Sequence, residues 1–344
     1  MAKKVKEETS SKLTATLEAL NKKYGAGSVQ SLDTKSDVNY DVISSGSIGL
    51  DYITLGPGGF VKGKLYELIG WEGVGKSTIC GHAAAECQKA GGKVAYIDGE
   101  HAVDRNYFEA LGVDTSKMLI AQPGNGEEGF NIAMELIQTG EIDLVIIDSD
   151  SSLIPKAVVD GEVGDSSIGK KARLNSSAYP KMKSVLSANN VCVIVISQYR
   201  EKIGVMFGDP RTTQGGHALK FYADVRIEIS KTLAKEGDVN YGNVTKLKAL
   251  KNKMAPPYRL TQFEVLFGKG IDKMGEIMQL ASDYDIAIKW GKSITYNEVK
   301  YDLTEFTKML EDEAFFNKLK ADVIKAIKES EIKVEEPIED ESKD

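Results

Sequence analysis

Residues 70–77 read GWEGVGKS and fit the phosphate-binding pattern G-x-x-x-x-G-K-[ST]. They follow an apolar run, Leu65–Ile69, and precede a stretch of helical character, Thr78–Ala90. A strand that leads into a glycine loop and then into a helix N-terminus points several backbone N–H groups at one place, where the helix dipole also favours negative charge. We therefore predict a nucleoside triphosphate site at this loop.

Individual residues of this loop suit the parts of such a site. Gly73 and Gly75 let the backbone pass close to phosphate groups. Lys76 can reach the terminal phosphates, and Ser77 can hold Mg²⁺. The alternative is a chance match in an ordinary turn, which does not account for the flanking strand and helix.

The composition is that of an ordinary globular chain, with 344 residues, 42% hydrophobic and 28% charged. No apolar stretch approaches the ~20 residues that span a bilayer, and the basic N-terminus lacks the apolar segment of a secretory signal. We therefore expect no membrane partner. Cys80, Cys87 and Cys192 lie in apolar-patterned segments, which favours buried free thiols and a cytoplasmic location. The three histidines show no metal-ligand spacing.

The net charge of −7 is concentrated at the C-terminus. Residues 331–344 contain seven acidic and two basic side chains, so the preceding 330 residues carry a net charge of only −2. A short acidic tail of low complexity is typical of a disordered segment. Such a tail either only increases solubility or competes with a polyanion for a basic surface on the body.

The first segment, residues 1–41, has the pattern of one helix followed by a polar linker. Ser10 or Ser11 can cap the helix, and Gly25 and Gly27 end it. The apolar residues that recur at helical spacing are Leu13, Leu17, Leu20 and Tyr24. From the pattern alone, this stripe fits docking on a neighbouring subunit as well as folding back on the chain's own domain.

Residues 42–270 alternate strand-like and helical patterns, which indicates an α/β domain. Continuous β-branched runs at Val94–Asp98, Leu144–Asp148 and Val191–Ile196 are typical of a parallel sheet covered on both faces. Helical patterns separate these runs at residues 129–140 and 170–189.

The end of the chain has a different pattern. Strand-like runs at residues 224–229, 245–251 and 262–267 have no helices between them, which suggests an antiparallel extension at one sheet edge. Residues 271–330 read as helix, a short strand-like stretch at 290–301 and a helix at 303–327, which predicts a small α+β domain before the acidic tail.

Polar side chains follow the predicted parallel strands at the edge where ligands bind in α/β sheets. Asp148 ends one strand and is expected to bind Mg²⁺ directly or through water. Glu100 can orient or deprotonate a water for in-line attack on the γ-phosphorus, and Asp98 and Asp104 compete for that role. Gln198 follows a third strand and can sense the γ-phosphate through a hydrogen bond.

A long segment at residues 199–216 combines four glycines and three basic residues with the apolar run Ile203, Val205, Met206 and Phe207. Apolar side chains beside basic ones on a loop suit contacts with nucleic-acid bases and phosphates. A second glycine-containing loop lies at residues 160–169 and precedes Lys170, Lys171 and Arg173. A lid over a substrate and a buried hairpin are the alternatives for these loops.

Several segments together carry a resemblance to a known family. They are the phosphate loop, YIDGEHA at residues 96–102, residues 161–169, KIGVMFG at residues 202–208 and GGHALKFY at residues 215–222. The chain resembles the bacterial-type RecA recombinases from about Leu17 to Gly275, and the long second loop is the most specific part of the match.

The resemblance implies a fold and a function. The fold is α/β, a RecA-type P-loop NTPase core with a mainly parallel twisted sheet, an N-terminal helix and a small α+β C-terminal domain. The function is that of a DNA-dependent ATPase that uses ATP and Mg²⁺, forms helical filaments on single-stranded DNA and exchanges strands with homologous double-stranded DNA during repair. It also implies a homo-oligomer, a nucleoid-associated place in the cytoplasm and, as an open alternative, a LexA-like repressor as partner.

The resemblance further implies roles for individual residues. The nucleotide contacts are Gly70, Glu72, Gly73, Val74, Gly75, Lys76, Ser77, Thr78, Asp104, Tyr107 and Asp148, with Ser77 and Asp148 on the metal ion. The catalytic residues are Glu100, Lys76, Gln198, Lys251 and Lys253, the last two reaching the ATP of the next subunit. The DNA contacts are Ile168, Arg173, Arg200, Val205, Phe207, Arg211, Gly215 and Gly216.

The chain departs from the family pattern at four positions. Trp71 stands where the family usually has proline, Ile168 where methionine is common, and His217 where asparagine is usual. Pro180 is expected to kink or shift the helix that follows the first DNA loop.

Two other hypotheses remain open. A hexameric helicase and a small-molecule kinase share the phosphate loop, but neither explains the apolar and basic loop.

Overall fold

The computed structural model describes residues 2–25, 28–29, 40–201 and 210–335, and the chain divides into two units, residues 1–40 and 41–344. The first unit contains helix α1, Ala2–Tyr24. The prediction that Ser10 or Ser11 caps this helix is wrong, because the helix begins well before both. Gly25 follows the last turn with a left-handed φ of 104°, which glycine adopts without strain.

The second unit contains the remaining elements. Its strands are β1 (Val42–Ile43), β2 (Phe60–Val61), β3 (Leu65–Gly70), β4 (Val94–Asp98), β5 (Leu119–Ala121), β6 (Leu144–Asp148), β7 (Cys192–Glu201), β8 (Arg211–Thr213), β9 (Val225–Glu236), β10 (Val239–Asn252), β11 (Leu260–Leu266), β12 (Gly270–Ile271), β13 (Ala287–Trp290), β14 (Ser293–Tyr296) and β15 (Val299–Asp302). Its α-helices are α2 (Lys76–Lys89), α3 (Arg105–Ala110), α4 (Gly126–Gln138), α5 (Lys156–Val159), α6 (Lys170–Asn189), α7 (Ala218–Tyr222), α8 (Lys273–Asp283), α9 (Leu303–Met309) and α10 (Glu313–Glu335).

The central sheet has the strand order β12-β11-β10-β9-β3-β7-β6-β4-β5, with β8 paired to the end of β7. The strands from β9 to β5 in this order are parallel. Strands β10, β11 and β12 extend the sheet antiparallel beyond β9. The predicted α/β fold class, a mainly parallel sheet with an antiparallel extension, is confirmed.

The buried strands pack against helices on both faces. Alternate residues of β3 enter different cores: Tyr66 packs with residues of α2, and Leu65 packs with residues of α4 and α6. Because successive side chains of a strand point to opposite faces, a strand covered on both sides is mostly apolar, as β3 and β6 are apart from Glu67 and the terminal Asp148. Helix α6 continues through Pro180, so the proline does not end it.

The sheet register brings the predicted polar residues to one edge. Gly70 at the end of β3 lies beside Gln198 of β7, and Asp98 at the end of β4 lies beside Asp148 of β6. Parallel strands with right-handed helical connections present their carboxyl ends together, so residues far apart in the chain meet there.

A third core joins the C-terminal elements to the segment before β2. Ile48 packs with Ile277, Phe306 and Leu319. Beside this core, Glu276 of α8 is 5% exposed, and its carboxylate accepts hydrogen bonds from Ser47 Oγ at 2.5 Å and from the Gly49 backbone N–H at 3.0 Å.

A second buried carboxylate, Asp51, lies in the π-helical turn Gly49–Leu55 of the same segment. It accepts hydrogen bonds from Ser44 Oγ at 2.6 Å and from the Ser45 N–H at 2.8 Å. Burial, with the Glu276 carboxylate adding in the same direction, raises the pKa of Asp51 to about 7. The folded chain therefore holds a proton on Asp51 at a pH where the unfolded chain has lost it.

This shift predicts a pH dependence of stability. Between about pH 4 and 7 the folded state binds one proton more than the unfolded state, so the contribution of Asp51 to the free energy of unfolding falls as pH rises through that window. Asp51→Asn reproduces the protonated side chain, so we expect little change at pH 4.5 and a gain of about 1 to 4 kcal/mol at pH 8. Urea unfolding at both pH values measures the difference. Asp238→Asn, at an exposed position, is the control, and equal pH dependence of wild type and Asp51→Asn would contradict the assignment.

Three further features are the state of the cysteines, the end of helix α10 and the absence of a membrane-spanning helix among the described residues. Cys80, Cys87 and Cys192 are buried and unpaired, as predicted. Helix α10 runs to Glu335 and so enters the segment for which disorder is predicted, while residues 336–344 lie outside the described residues. Among the residues that the structure describes, no helix combines the length and apolar character needed to cross a membrane.

Candidate functional site

A cavity of about 260 Å³ opens at the carboxyl edge of β3, β4, β6 and β7. It is lined by Glu72, Gly73, Gly75, Lys76, Ser77, Thr78, Glu100, Asp148, Ile196 and Gln198. All of these except Ile196 are residues that the sequence predicts for nucleotide binding or catalysis. A larger cavity of about 840 Å³ lies at the opposite edge, near Lys93, Leu119 and Ile142, and contains none of them.

The phosphate loop forms a cradle between β3 and α2. Gly73 and Gly75 have left-handed φ angles of 67° and 93°, and Gly75 occupies the N-cap position of α2. Lys76 is 6% exposed, and its Nζ donates to the carbonyl oxygens of Gly70 at 3.2 Å and Trp71 at 2.6 Å. These neutral acceptors can be exchanged for phosphate oxygens, so the cradle fits a triphosphate.

Burial lowers the pKa of Lys76 from its ordinary value, although Asp148 and Glu100 act in the opposite direction. A triphosphate brings several negative charges to this amine, and charges of opposite sign favour the protonated form. Bound nucleotide is therefore expected to offset the cost of burying the ammonium group.

The predicted metal ligands lie together. Ser77 Oγ donates to Asp148 Oδ2 at 2.6 Å, and the Tyr96 hydroxyl donates to the same oxygen at 2.6 Å. Burial raises the pKa of Asp148 above its ordinary value, and the hydrogen bonds from the two hydroxyl groups offset part of this increase. A hydroxyl and a carboxylate are oxygen ligands that suit Mg²⁺, which normally takes the rest of its ligands from phosphates and water. Among the residues that the structure describes, no group of three or more His, Cys, Asp or Glu could hold a metal ion.

Glu100 lies opposite the phosphate loop and is joined to two other strand ends. Its Oε1 accepts hydrogen bonds from Ser149 Oγ at 2.6 Å and from Gln198 Nε2 at 3.0 Å. Asp98, by contrast, is 2% exposed, and its carboxylate accepts from the Ala102 N–H at 3.2 Å and from Gln122 Nε2 at 2.9 Å. Of these two acids, Glu100 is the one that lines the cavity.

Asp104 and Tyr107 lie on α3, beside α2. Asp104 is the N-cap of α3 and accepts from the Tyr107 N–H at 3.1 Å. The Tyr107 hydroxyl lies 2.8 Å from Thr78 Oγ1, which places the ring against the first turn of α2. Of these two predicted nucleotide contacts, Tyr107 is thus adjacent to the phosphate cradle, and Asp104 begins the helix that carries it.

The predicted DNA contacts flank this edge. Residues 161–169 are exposed, and Ile168 is 93% exposed, so the alternative of a buried hairpin is wrong for the first loop. Arg200 and Arg211 are exposed on the antiparallel pair β7 and β8, which leads into and out of the second loop. Val205 and Phe207 lie outside the described residues, and Arg173 is exposed near the start of α6.

Gly215, at the end of the second loop, is held by a buried polar cluster. Asn175 of α6 is 1% exposed, and its Nδ2 donates to the Gly215 carbonyl at 3.3 Å and to Asp150 Oδ2 at 3.1 Å. The Tyr179 hydroxyl donates to the other Asp150 oxygen at 2.5 Å. Because Asp150 follows Asp148, a predicted metal ligand, by two residues, this cluster joins the end of the second loop to the predicted nucleotide edge.

Gly215→Ala is expected to disturb this cluster. Gly215 has a φ of 86°, and an added Cβ would overlap Asn175 Nδ2. We expect a loss of about 2 to 4 kcal/mol in the free energy of unfolding, from the left-handed backbone and from overpacking. The control is Gly140→Ala, where φ is 69° and no atom lies within 4 Å, with an expected loss of about 1 kcal/mol. Equal losses by urea unfolding would show that the Asn175 contact does not constrain Gly215.

Comparison with known proteins identifies the family. The model of a family described as the RecA N-terminal domain matches residues 11–272. The chain belongs to the RecA family.

Relatives in the RecA family are similar over most of their length. Protein RecA of Cytophaga hutchinsonii is 48% identical over 290 residues, which cover 84% of this chain and 81% of that protein. Protein RecA of Chloroherpeton thalassium is 43% identical over 324 residues, 93% of this chain and 90% of that protein. Protein RecA of Porphyromonas gingivalis is 47% identical over 289 residues, 84% of this chain and 85% of that protein.

Two residues for which the RecA resemblance implies catalytic roles do not join the cradle of their own chain. Lys251 lies at the end of β10, where it pairs with Arg226 at the start of β9, and Lys253 follows β10 directly. The start of β9 lies beside the start of β3, whereas the phosphate loop follows the end of β3. Lys251 Nζ donates to the Phe221 carbonyl at 2.9 Å, and Lys253 Nζ lies 3.3 Å from Asp224 Oδ1.

Sequence reasoning missed several side chains at the site. Ser149 donates a hydrogen bond to Glu100, and Tyr96 donates one to Asp148. Asp150 accepts a hydrogen bond from Asn175 in the cluster at Gly215. The signal for Ser149 and Asp150 was available, because both directly follow a strand end. Tyr96 gives no such signal, because a tyrosine inside a strand resembles any other core residue.

Proposed function

We propose that the chain is a DNA-dependent ATPase that forms ATP-bound helical filaments on single-stranded DNA and catalyses homologous pairing and strand exchange in recombinational repair. Family membership supports a recombinase role in recombination and repair and implies nucleotide use. The observation that carries the proposal is the hydrogen bond between Glu100 Oε1 and Gln198 Nε2. It joins an acid of the nucleotide cavity to the strand that leads into the second DNA loop.

In this proposal, Gly73, Gly75 and the N-terminus of α2 bind the phosphates through backbone N–H groups, and Lys76 neutralises the terminal charge. Ser77 and Asp148 would hold Mg²⁺, which when bound would supply positive charge to neutralise the phosphates. The fit rests on the hydrogen bond from Ser77 Oγ to Asp148 Oδ2 and on the Lys76 amine. The acceptors of this amine among the described residues are the neutral carbonyl oxygens of Gly70 and Trp71.

Glu100 is the proposed general base for hydrolysis. Water attacks the γ-phosphorus in line, its proton passes to the Glu100 carboxylate, and the bond to the β–γ bridging oxygen breaks to give ADP and phosphate. Ser149 and Gln198 both hydrogen-bond Oε1, which leaves Oε2 for the water. Asp98 is a poorer base because its carboxylate is buried and already accepts hydrogen bonds from Ala102, Val103 and Gln122.

DNA is proposed to bind along the two loops. Ile168, Val205 and Phe207 would separate and stack bases, while Arg173, Arg200, Arg211 and the backbone at Gly215 and Gly216 would meet phosphates. The full exposure of residues 161–169 supports access to a strand. Binding is expected to weaken as salt rises, because phosphate contacts release counterions.

Polymerisation is supported by the position of Lys251 and Lys253. These side chains lie at the end of the sheet opposite their own phosphate cradle, so they can reach a nucleotide only in another copy of the chain. We propose that the stripe of α1 docks on a neighbouring copy in the same polymer.

We further propose that the chain divides into residues 1–41, 42–270, 271–330 and 331–344. Its proposed location is the cytoplasm, in association with the nucleoid. A LexA-like repressor is proposed as a partner of the filament.

Electron microscopy with single-stranded DNA and a slowly hydrolysed ATP analogue tests the proposal. Helical filaments, together with ATP-dependent strand exchange in solution, are the expected result. Closed rings with unwinding activity would favour a hexameric helicase, and phosphoryl transfer to a small molecule without DNA binding would favour a kinase. A chain that ignores single strands with and without ATP and Mg²⁺ would overturn the proposal.

A further inference from the structure

An aromatic contact joins the phosphate loop to strand β7. The ring centroids of Trp71 and Tyr199 lie 5.9 Å apart with an interplanar angle of 58°, within the range of attractive aromatic pairs. Trp71 lies inside the phosphate loop, and its carbonyl accepts from Lys76 Nζ. Tyr199 directly follows Gln198 and is 9% exposed.

The contact continues to the far side of the second DNA loop. The Arg211 guanidinium lies 4.9 Å from the centroid of the Tyr199 ring, a cation–π distance. Arg211 pairs with Glu201 across the β7–β8 ladder, so it lies on the same face as Tyr199 and touches it diagonally. We name the three side chains of Trp71, Tyr199 and Arg211 the Trp71 stack.

One carboxylate anchors the Trp71 stack to the sheet. Glu228 Oε1 accepts from the Tyr199 hydroxyl at 2.9 Å and from Arg211 Nη1. Glu228 belongs to β9 and pairs with Ile69, one residue before the phosphate loop begins. The stack therefore spans the phosphate loop, the start of the second DNA loop and its end, and it is fixed to the central sheet at Glu228.

We propose that the Trp71 stack is a positioning device that couples nucleotide occupancy to the affinity of the β7–β8 pair, with Arg200 and Arg211, for single-stranded DNA. The inference rests on the proposed function and adds a second coupling route beside Gln198. When the cradle holds a triphosphate, the Lys76 amine turns from the Trp71 carbonyl to phosphate oxygens, and the Trp71 segment loses its hydrogen-bonded anchor. A different position of the Trp71 ring changes the support of Tyr199 and hence the placement of Arg211.

The proposal requires two discrete states with different contacts, because linkage between two sites depends on such a difference. In one state Lys76 holds the Trp71 carbonyl, and in the other it holds the nucleotide. The coupling is reciprocal, so bound DNA must also change the environment of Trp71.

The fluorescence of Trp71 gives a direct test. The chain has two tryptophans, and Trp290→Phe leaves Trp71 as the reporter. We expect its emission to change when oligo(dT) binds without nucleotide and again when a slowly hydrolysed ATP analogue is added. In this background Tyr199→Leu is expected to remove the DNA-dependent change, whereas Tyr199→Phe, which keeps the ring, retains it.

The coupling factor supplies the second readout. It is the ratio of the Kd for oligo(dT) without the analogue to the Kd with it. We expect Trp71→Ala and Tyr199→Leu each to lower this ratio by about 3- to 10-fold, the equivalent of one lost aromatic pair, and Trp71→Phe to preserve most of it. The matched control is Tyr258→Leu, which removes an exposed tyrosine beside Lys248, with an unchanged ratio expected.

The outcomes separate the inference from the proposed function. Bound oligo(dT) that leaves Trp71 emission unchanged would overturn the inference, as would wild-type coupling ratios in both Trp71→Ala and Tyr199→Leu. The role of exposed Trp71 is tested even if Tyr199→Leu folds poorly, because Trp71→Ala and Tyr199→Phe are assayed independently. A wild-type chain that does not bind oligo(dT) at all would overturn the proposed function and the inference with it.

Discussion

Lys76→Ala is expected to lower ATP turnover by about 100- to 1000-fold and to abolish strand exchange, because the variant lacks the one basic side chain that lines the cavity among the described residues. The amine is buried beside Gly70 and Trp71 and donates to their carbonyl oxygens. It is thus already positioned where the terminal phosphates are expected, and no other basic side chain of the cavity lining can replace it. Steady-state ATP hydrolysis with single-stranded DNA measures the effect.

The control for this variant lies on the same helix. Lys89→Ala removes an exposed lysine at the last turn of α2, where it pairs with Glu86. Exposed ion pairs contribute little, so we expect turnover close to that of the wild type. Circular dichroism establishes that both variants are folded. Turnover in Lys76→Ala within about threefold of wild type would show that the cradle does not hold a triphosphate in the proposed way.

Glu100→Gln is expected to slow hydrolysis by about 100- to 10,000-fold while retaining ATP and DNA binding, since a general base contributes in this range. The geometry makes the substitution unusually selective. Both observed hydrogen bonds, from Ser149 and Gln198, reach Oε1, and a glutamine oxygen can accept them in the same place. Only the basic Oε2 is replaced, so the link to the second DNA loop is preserved.

The predicted signature is a filament that forms with ATP and persists. Light scattering or electron microscopy should show ATP-dependent filaments of Glu100→Gln that outlast those of the wild type, together with slow phosphate release. Glu135→Gln, at an exposed position on α4, is the control and should hydrolyse ATP normally. Normal turnover in Glu100→Gln would refute the assignment of Glu100 as the base and would return attention to Asp104.

Comparison of the predicted elements with the structure shows which patterns are informative. The bounds predicted for β4, β6 and α6 are those observed, because each is a long run of one character with polar or glycine residues at its ends. Residues 290–301 were predicted as one strand-like stretch, but they contain parts of three strands separated by turns. Asn297 and Glu298 adopt left-handed φ angles of 49° and 64°, and for glutamate this conformation is unusual enough that the sequence gives little warning of it.

The C-terminal helical pattern illustrates the same limit. The segment 303–327 was predicted as one helix, yet it contains all of α9 and the first part of α10. Asp312 accepts from the Phe315 N–H at 2.9 Å and so caps the second helix. An aspartate inside an apolar helical pattern is usually a surface residue of one continuous helix. Only the packing of both helices in the core around Phe306 shows that Asp312 instead begins a second helix.

The phosphate loop, the α/β class and the family could be predicted from the sequence, because each depends on neighbouring residues whose backbone conformation and apolar periodicity are local properties. Which side chains act together depends on the tertiary structure. Glu100 and Gln198 are 98 positions apart, and Ser149 lies 49 positions from Glu100, yet all three meet at one edge. The same holds for Trp71, Tyr199 and Glu228, which meet because parallel pairing in register places the end of β3 beside Gln198 of β7 and Ile229 of β9. Strand order and register arise from long-range packing of the whole core, and no local pattern encodes them.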